Sequence, residues 1–288
     1  MGVLNVTPDS FSDGGAHLDV GAATRRGVEM LAEGATVVDV GGESTRPGAS
    51  PVDPSTEVGR VVPVLEALAG PCAEAGARLS IDTRHESTAR AAVAAGAGII
   101  NDVSSSLAPV AAELGVAWVA MHMAGEPGTM QLDPRYDDVT GEVRSFLRER
   151  VAWATSLGVG EVWVDPGIGF GKTTAHNLAL LAAVPALVAD GTPVLVGTSR
   201  KRFLGVLAAR SRAGLEPWPV PAPDTTDPAA PGVVVEPLGV GDRQIGSLVT
   251  AGWAMIHGAR MVRVHDVAAT VRLARRLAGG STGPPPRR

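Results

Sequence analysis

One pattern constrains this chain more than any other: a helix-like stretch is closed by a glycine and followed at once by a short apolar run. It recurs seven times. Gly34 precedes Thr36-Val37-Val38-Asp39, Gly76 precedes Leu79-Ser80-Ile81-Asp82, and Gly96 precedes Ile99-Ile100-Asn101. Gly115 precedes Ala117-Trp118-Val119-Ala120-Met121, and Gly158 precedes Val162-Trp163-Val164-Asp165. Gly191 precedes Val194-Leu195-Val196-Gly197, and Gly258 precedes Met261-Val262-Arg263-Val264. Glycine suits the left-handed position that ends a helix. Unbroken apolar runs suit strands of a parallel sheet buried on both faces. With the opening run Val3-Leu4-Asn5-Val6 the chain holds eight such strands. Eight β-α units in about 275 residues is the size of a closed (β/α)8 TIM barrel.

Helix starts support the same reading. Asp53-Pro54 reads as an N-cap with proline in the first helical position. Thr83-Arg84-His85-Glu86 has capping-box spacing. Alternation alone also permits an open, doubly wound sheet. The polar residues favour closure. Strand after strand ends in a hydrogen-bonding group: Asn5, Asp39, Asp82, Asn101, His122, Asp165, Ser199 to Lys201, then Arg263 and His265. A closed barrel gathers all of these at one mouth, where such folds keep their sites.

The barrel is expected over residues 1–278 as a single domain, interrupted by a proline-rich insertion over 211–240 after strand seven. That segment contains Pro217, Pro219, Pro221, Pro223, Pro228, Pro231 and Pro237 and has no periodicity, which suits an extended or disordered loop. Residues 279–288 are expected to be a disordered tail. Strand one is expected to start at the first residues given, with no N-terminal cover for the barrel bottom.

A net charge of −5 advertises no nucleic-acid surface. No apolar run approaches the roughly 18 residues of a membrane span, and no export signal is evident. Cys72 stands alone, so neither an internal disulfide nor a Cys-rich metal site is possible. A cytoplasmic protein without membrane or nucleic-acid partners is expected.

The stretch Val162 to Thr173 contains Gly-Phe-Gly-Lys-Thr and invites a phosphate-loop reading. That motif needs a glycine where Pro166 stands, so nucleotide triphosphate binding is set aside. The alternative is a strand that presents Asp165 to a glycine-lined cavity. Lys172 and Lys201 are the chain's two lysines among 25 Lys and Arg, both in glycine- or serine-flanked loops. A compact ammonium is chemically distinct from guanidinium.

Two further loops are polar and glycine-rich: Asn5-Val6-Thr7-Pro8-Asp9-Ser10-Phe11-Ser12-Asp13-Gly14-Gly15 and Asp39-Val40-Gly41-Gly42-Glu43-Ser44-Thr45-Arg46-Pro47-Gly48-Ala49. With Ser80-Ile81-Asp82-Thr83, Asn101-Asp102-Val103, Met121-His122, Asp165 to Lys172, Ser199-Arg200-Lys201 and Arg263 to Val267, they make the chain closely resemble the dihydropteroate synthases, folate-pathway enzymes inhibited by sulfonamides. The likeness covers all but the proline-rich segment and the tail.

The resemblance implies a homodimeric transferase that joins 6-hydroxymethyl-7,8-dihydropterin diphosphate to p-aminobenzoate, with Mg²⁺ as cofactor. It assigns Asp82, Asn101, Met121, Asp165, Phe170 and Lys201 to the pterin. It assigns Asn5, Thr45, Arg263 and His265 to the diphosphate, with Asn5 also a ligand of the metal. Phe11, Thr45, Arg46 and Pro47 fall to the p-aminobenzoate pocket. Lys201, Arg263 and His265 are the residues expected to carry catalysis. The chemistry agrees: carboxylates accept from adjacent N–H donors, Asn both gives and accepts, and Lys donates to a carbonyl.

Some readings stay open at this level. Asp39 either braces the second loop or touches ligand. His122 and Lys172 are expected to anchor loops, and Asp9 and Asp13 either approach the metal or form turns. Arg202 stands where many relatives have serine for the p-aminobenzoate carboxylate, a job its guanidinium or the local backbone N–H groups can take. Two other classes compete: a silent pterin-binding homologue, and the pterin barrel of a methyltransferase. The second has no use for a diphosphate clamp.

Overall fold

The structure, a computed structural model, describes residues 1–7, 19–44, 51–126, 128–215 and 235–279. Eight parallel strands are present: β1 (Gly2–Asn5), β2 (Val37–Gly41), β3 (Arg78–Asp82), β4 (Ile99–Asp102), β5 (Ala117–Met121), β6 (Val162–Asp165), β7 (Leu195–Val196) and β8 (Met261–Val262). The first six pair in chain order, and β7 pairs with β8. Two single bridges close the ring, Val164 to Val194 and Gly2 to Val264. At the closing seam the Val3 N–H donates to the Val264 carbonyl at 2.9 Å, and the Val264 N–H donates to the Met1 carbonyl at 2.9 Å. The open-sheet alternative is thereby excluded.

Helices α1 (Val20–Ala32), α2 (Pro54–Glu74), α3 (Glu86–Ala94), α4 (Ala108–Leu114) and α5 (Val139–Ser156) follow the first five strands. After β6 the outer layer is split into α6 (Thr174–Ala182) and α7 (Val184–Ala189). After β7 come α8 (Arg202–Arg212) and α9 (Gln244–Ile256), and α10 (Val267–Leu277) follows β8. All seven glycines read as helix stops have positive φ, from 63° at Gly76 to 106° at Gly96. Asp53 caps α2 as expected, accepting from the Thr56 N–H at 3.0 Å.

The structure corrects other local expectations. The capping box at Thr83 does not form: α3 starts at Glu86 with His85 as its N-cap. Thr83 instead donates to the buried Glu57 at 2.9 Å and accepts from the His85 N–H at 3.1 Å. The reciprocal box lies at Thr173 and His176, at the start of α6. Strand two does not end at Asp39 but runs two residues further, to Gly41. Helix α8 reaches Arg212, past the expected start of the insertion at Ser211. Most of the insertion, 216–234, and residues 280–288 lie outside the described residues.

Beyond β4, Asp102 organises the turn. Its carboxylate accepts from the N–H groups of Ser104, Ser106 and Leu107 and from the indole of the fully buried Trp118. That acid is structural. Inside the barrel, Met1, Val37, Ile99, Ala117, Val119 and Leu195 form an apolar cluster with Trp163 and Met261 packed on it. Side chains two positions apart on a strand share a face. Two steps along from this cluster, the same inward column reads Asp39, Asn101, Met121, Asp165, Gly197 and Arg263. The barrel interior therefore changes from hydrocarbon to charge within one layer.

Candidate active site

Asp165 closes β6 beside Met121, its register partner on β5. It is almost fully buried, and its Oδ1 accepts from the Gly167 N–H at 2.7 Å. Burial pushes the carboxyl up, opposed by the charge of Lys201 and by the Gly167 hydrogen bond. Gly167 has φ 65°, and a Cβ there would lie 1.8 Å from the His122 carbonyl oxygen. Only glycine lets the chain leave Asp165 this way.

Lys201 comes from the neighbouring strand end. Its ammonium donates to the Ile168 carbonyl and lies 4.5 Å from the centroid of the Phe170 ring. Burial lowers its pKa to about 8, against the opposing pull of Asp165. The turn that delivers it passes through Arg200 at φ 62°, a left-handed conformation unusual outside glycine. Four contacts hold Arg200 there. Its N–H donates to Ser247 at 2.9 Å, its carbonyl accepts from Arg243 at 3.0 Å, and its guanidinium grips both Asp266 oxygens at 3.2 and 2.6 Å. No sequence signal marks this clamp, because its parts come from α9, the turn before it and the N-cap of α10.

Arg263 lies across the mouth. Its Nε donates to Asp39 and one terminal nitrogen donates to Asp82, both at 2.6 Å. Burial disfavours its charge, but the two carboxylates outweigh burial and hold it firmly protonated. Asp82, paired in register with Asn101, has its pKa raised to about 7 by burial. Arg263 opposes that shift, and Asp39, Glu57 and Asp102 add to it. Three carboxylates, Asp39, Asp82 and Asp165, thus face two cations, Lys201 and Arg263. Ser199 Oγ accepts from the His265 N–H at 3.1 Å and lies 3.0 Å from His265 Nδ1, which fixes the imidazole at the rim.

Gly197 is the feature that sequence reasoning missed. A Cβ built there would sit 3.7 Å from Arg263 Cβ, 3.8 Å from Asp165 Oδ2 and 3.9 Å from Lys201 Nζ. The absent side chain leaves room in the middle of the charged layer. In the sequence it reads only as the last residue of a strand.

Lys172 is not part of this cradle. It is buried, with its ammonium 3.0 Å from His122 Nδ1, 3.0 Å from the Phe170 carbonyl and 3.3 Å from the His122 carbonyl. Burial lowers it to about 7, and burial followed by the Lys172 charge lowers His122 to about 3. Both residues anchor loops, and the phosphate-loop reading has no free lysine. Gln131, Tyr136 and Asn177 complete the bracing, each with a hydrogen bond to the Gly169 or Gly171 backbone.

Asp39, read as a brace for the second loop or a ligand contact, is tied to neither among the described residues. It lies beneath the mouth, accepting from Arg263 and from Asn101 Nδ2 at 3.0 Å. Arg202 is the exposed first residue of α8. Phe11, Thr45, Arg46 and Pro47, with Asp9 and Asp13, lie outside the described residues.

For a divalent cation the donor set is sparse. No group of three or more His, Cys, Asp or Glu among the described residues could hold a metal ion. Asn5, half-buried at the end of β1, offers one amide oxygen beside Gly41 and has no side-chain hydrogen bond among the described residues. A single neutral oxygen fits Mg²⁺ only when phosphate and water supply the remaining ligands.

Comparison with known proteins gives one consistent picture. The family model "Pterin binding enzyme" matches residues 1–265. The dihydropteroate synthase of Mycobacterium leprae is 47% identical over 279 residues, covering 94% of this chain and 89% of that protein. The Xanthomonas albilineans dihydropteroate synthase structure with 4-aminobenzoic acid superposes with a TM-score of 0.79 at 42% identity, covering 98% of this chain and 93% of the other. The same enzyme in complex with 7,8-dihydropteroate gives 0.76 at 39% identity, covering 99% and 94%.

Proposed function

The chain belongs to the pterin-binding enzyme family, and from that membership we propose how its residues divide the work of a dihydropteroate synthase. The reaction it catalyses condenses 6-hydroxymethyl-7,8-dihydropterin diphosphate with p-aminobenzoate, giving 7,8-dihydropteroate and diphosphate. One observation carries the assignment of roles: Asp165, Lys201 and Arg263 surround the space left by Gly197, and Arg263 ties in Asp82, the register partner of Asn101.

In this reading the aminopyrimidinone edge of the pterin lies against that layer. Asp165 accepts from its adjacent N–H donors, Lys201 donates to its carbonyl, and Asp82 and Asn101 meet the remaining polar atoms. Met121 and Phe170 cover the ring. Arg263 and His265 take the diphosphate. Arg263 has spent two of its five N–H donors on Asp39 and Asp82 and keeps three for an anion. Asn5, joined by Thr45, completes the diphosphate site, and Asn5 would hold Mg²⁺, which supplies neutralisation of the phosphate charge. Release of diphosphate leaves a cationic methylene that the electron-rich pterin stabilises. The protein's contribution is stabilisation of the leaving group and positioning of the amine.

The p-aminobenzoate carboxylate falls to Arg202 and the first N–H groups of α8, an end of the helix that favours anions. The family resemblance assigns Phe11, Thr45, Arg46 and Pro47 to the same substrate. The proposal extends to a homodimer. Ile245, Val249, Trp253 and Ile256 line an outer face of α9, with Ile245 76% and Ile256 65% exposed, a patch of the kind that subunit contacts cover. No helix among the described residues is long and apolar enough to cross a membrane.

Calorimetric titration of 6-hydroxymethylpterin into wild type and Asp165→Ala tests the pocket. Wild type is expected to bind and the variant to lose binding by roughly 10⁴-fold, the penalty for unpairing a buried hydrogen-bonding set. Equal binding by both proteins would place the pterin elsewhere.

A further inference from the structure

Asp39 is left without a ligand in this scheme, yet it is the most buried acid of the mouth. Its side chain is fully enclosed, its Oδ2 takes hydrogen bonds from both Arg263 Nε and Asn101 Nδ2, and its Oδ1 is buried with no partner. Two residues back along the same inward column lies Val37, in hydrocarbon. A carboxylate with one unsatisfied oxygen is a costly occupant of such a place.

We propose that Asp39 is a positioning residue: it fixes which end of the Asn101 amide meets the pterin and which edge of the Arg263 guanidinium meets the diphosphate. The inference rests on reading the mouth as the pterin site. An ionised carboxylate only accepts, so it admits Asn101 Nδ2 and rejects Oδ1. One amide N–H is spent on Asp39, and Oδ1 and the second N–H are presented in a fixed order. A reversed amide would set two acceptors against each other. Arg263 is fixed by the same oxygen, with Asp82 holding the far side of the guanidinium. A single buried atom thus sets donors and acceptors on β4 and at the end of β8, across the barrel from each other in sequence.

The test is a pair of variants. In Asp39→Asn the amide oxygen can replace Oδ2 and keep both hydrogen bonds while the charge is lost. In Asp39→Leu the acceptor is gone and the site matches the apolar layer below. Calorimetry with 6-hydroxymethylpterin is expected to show Asp39→Asn within a few-fold of wild type and Asp39→Leu about 30-fold weaker, the loss of hydrogen bonds that a buried charged acceptor supplies. The KM for p-aminobenzoate is expected to stay unchanged in both. A folded Asp39→Leu that binds pterin like wild type overturns the proposal.

A second readout needs no ligand. Arg263, Asp39, Glu57, Asp102 and Lys201 are the charged groups that act on Asp82. The NMR titration of the Asp82 carboxyl in Asp39→Asn is expected to move to lower pH, and the Asn101 side-chain amide protons to shift upfield. Both unmoved would overturn the proposal even if Asp39→Leu fails to fold. If wild type itself binds no pterin, the functional reading falls, while these two signals still decide whether Asp39 controls its neighbours.

Discussion

Lys201 meets Phe170 at the barrel mouth, its ammonium 4.5 Å from the ring centroid, while the same ammonium donates to the Ile168 carbonyl. The two residues arrive on different strands, yet each limits where the other can go. Lys201→Ala would remove the donor proposed for the pterin carbonyl and is expected to lower kcat/KM by about 10² to 10³, the usual cost of deleting one preorganised donor. Circular dichroism is expected to be unchanged. Steady-state kinetics with the pterin substrate varied checks this, and near-normal turnover would remove Lys201 from the site.

Gly197 gives a test from the opposite direction. Its φ is not in the left-handed region, so alanine is compatible with the backbone. The added methyl would sit within 4 Å of Asp165, Lys201 and Arg263 side-chain atoms, in the space assigned to the ligand. Gly197→Ala is expected to keep the melting temperature and to weaken pterin binding by at least about 10-fold, since overpacking a closed site typically costs 1–3 kcal/mol. Unchanged affinity would show that the pterin does not enter this layer.

The pH profile follows from Asp82 and Lys201. Asp82 is a charged, purely accepting partner for the proposed pterin contact only when ionised, above about 7, and Lys201 carries its charge only below about 8. The profile of kcat/KM for the pterin substrate, which reports the free enzyme, is therefore expected to be a narrow bell with its maximum between these values. The two limbs belong to the coupled cluster rather than to isolated groups. A flat profile from pH 6 to 9 would contradict the assignment.

Lys172 bears on stability rather than chemistry. Its folded pKa is depressed to about 7 from 10.5, so between those values the unfolded chain binds the extra proton. Stability from this group is therefore present above about 10.5 and is lost as pH falls toward 7. The stability of wild type relative to Lys172→Met is expected to rise with pH across that window, by up to about 1.4 kcal/mol per unit. Denaturant melts at pH 7, 8 and 9 measure it, and a difference independent of pH would show that Lys172 is not depressed.

Much of this was legible in the sequence because glycine leaves a conformational mark. Gly34, Gly76, Gly96, Gly115, Gly158, Gly191 and Gly258 all close helices, and the run after each enters the barrel. Asp82, Asn101, Asp165, Lys201 and Arg263 could be read as a group because strand ends converge in a closed barrel. Asp39 resisted because a strand buried on both faces shows no alternation, so its true end at Gly41 was hidden. Thr83 misled because capping-box spacing does not reveal that Glu57, distant in sequence, claims its hydroxyl. The Arg200 clamp and the space beside Gly197 depend on contacts among β6, β7, β8 and α9, and local sequence carries no trace of such contacts.

Turnover tests the proposed role of this mouth most directly. Purified protein supplied with 6-hydroxymethyl-7,8-dihydropterin diphosphate, p-aminobenzoate and Mg²⁺ is expected to release diphosphate and form 7,8-dihydropteroate in equal amounts. Protein that binds pterin but forms no dihydropteroate at high concentration would contradict the account and identify a silent binding homologue.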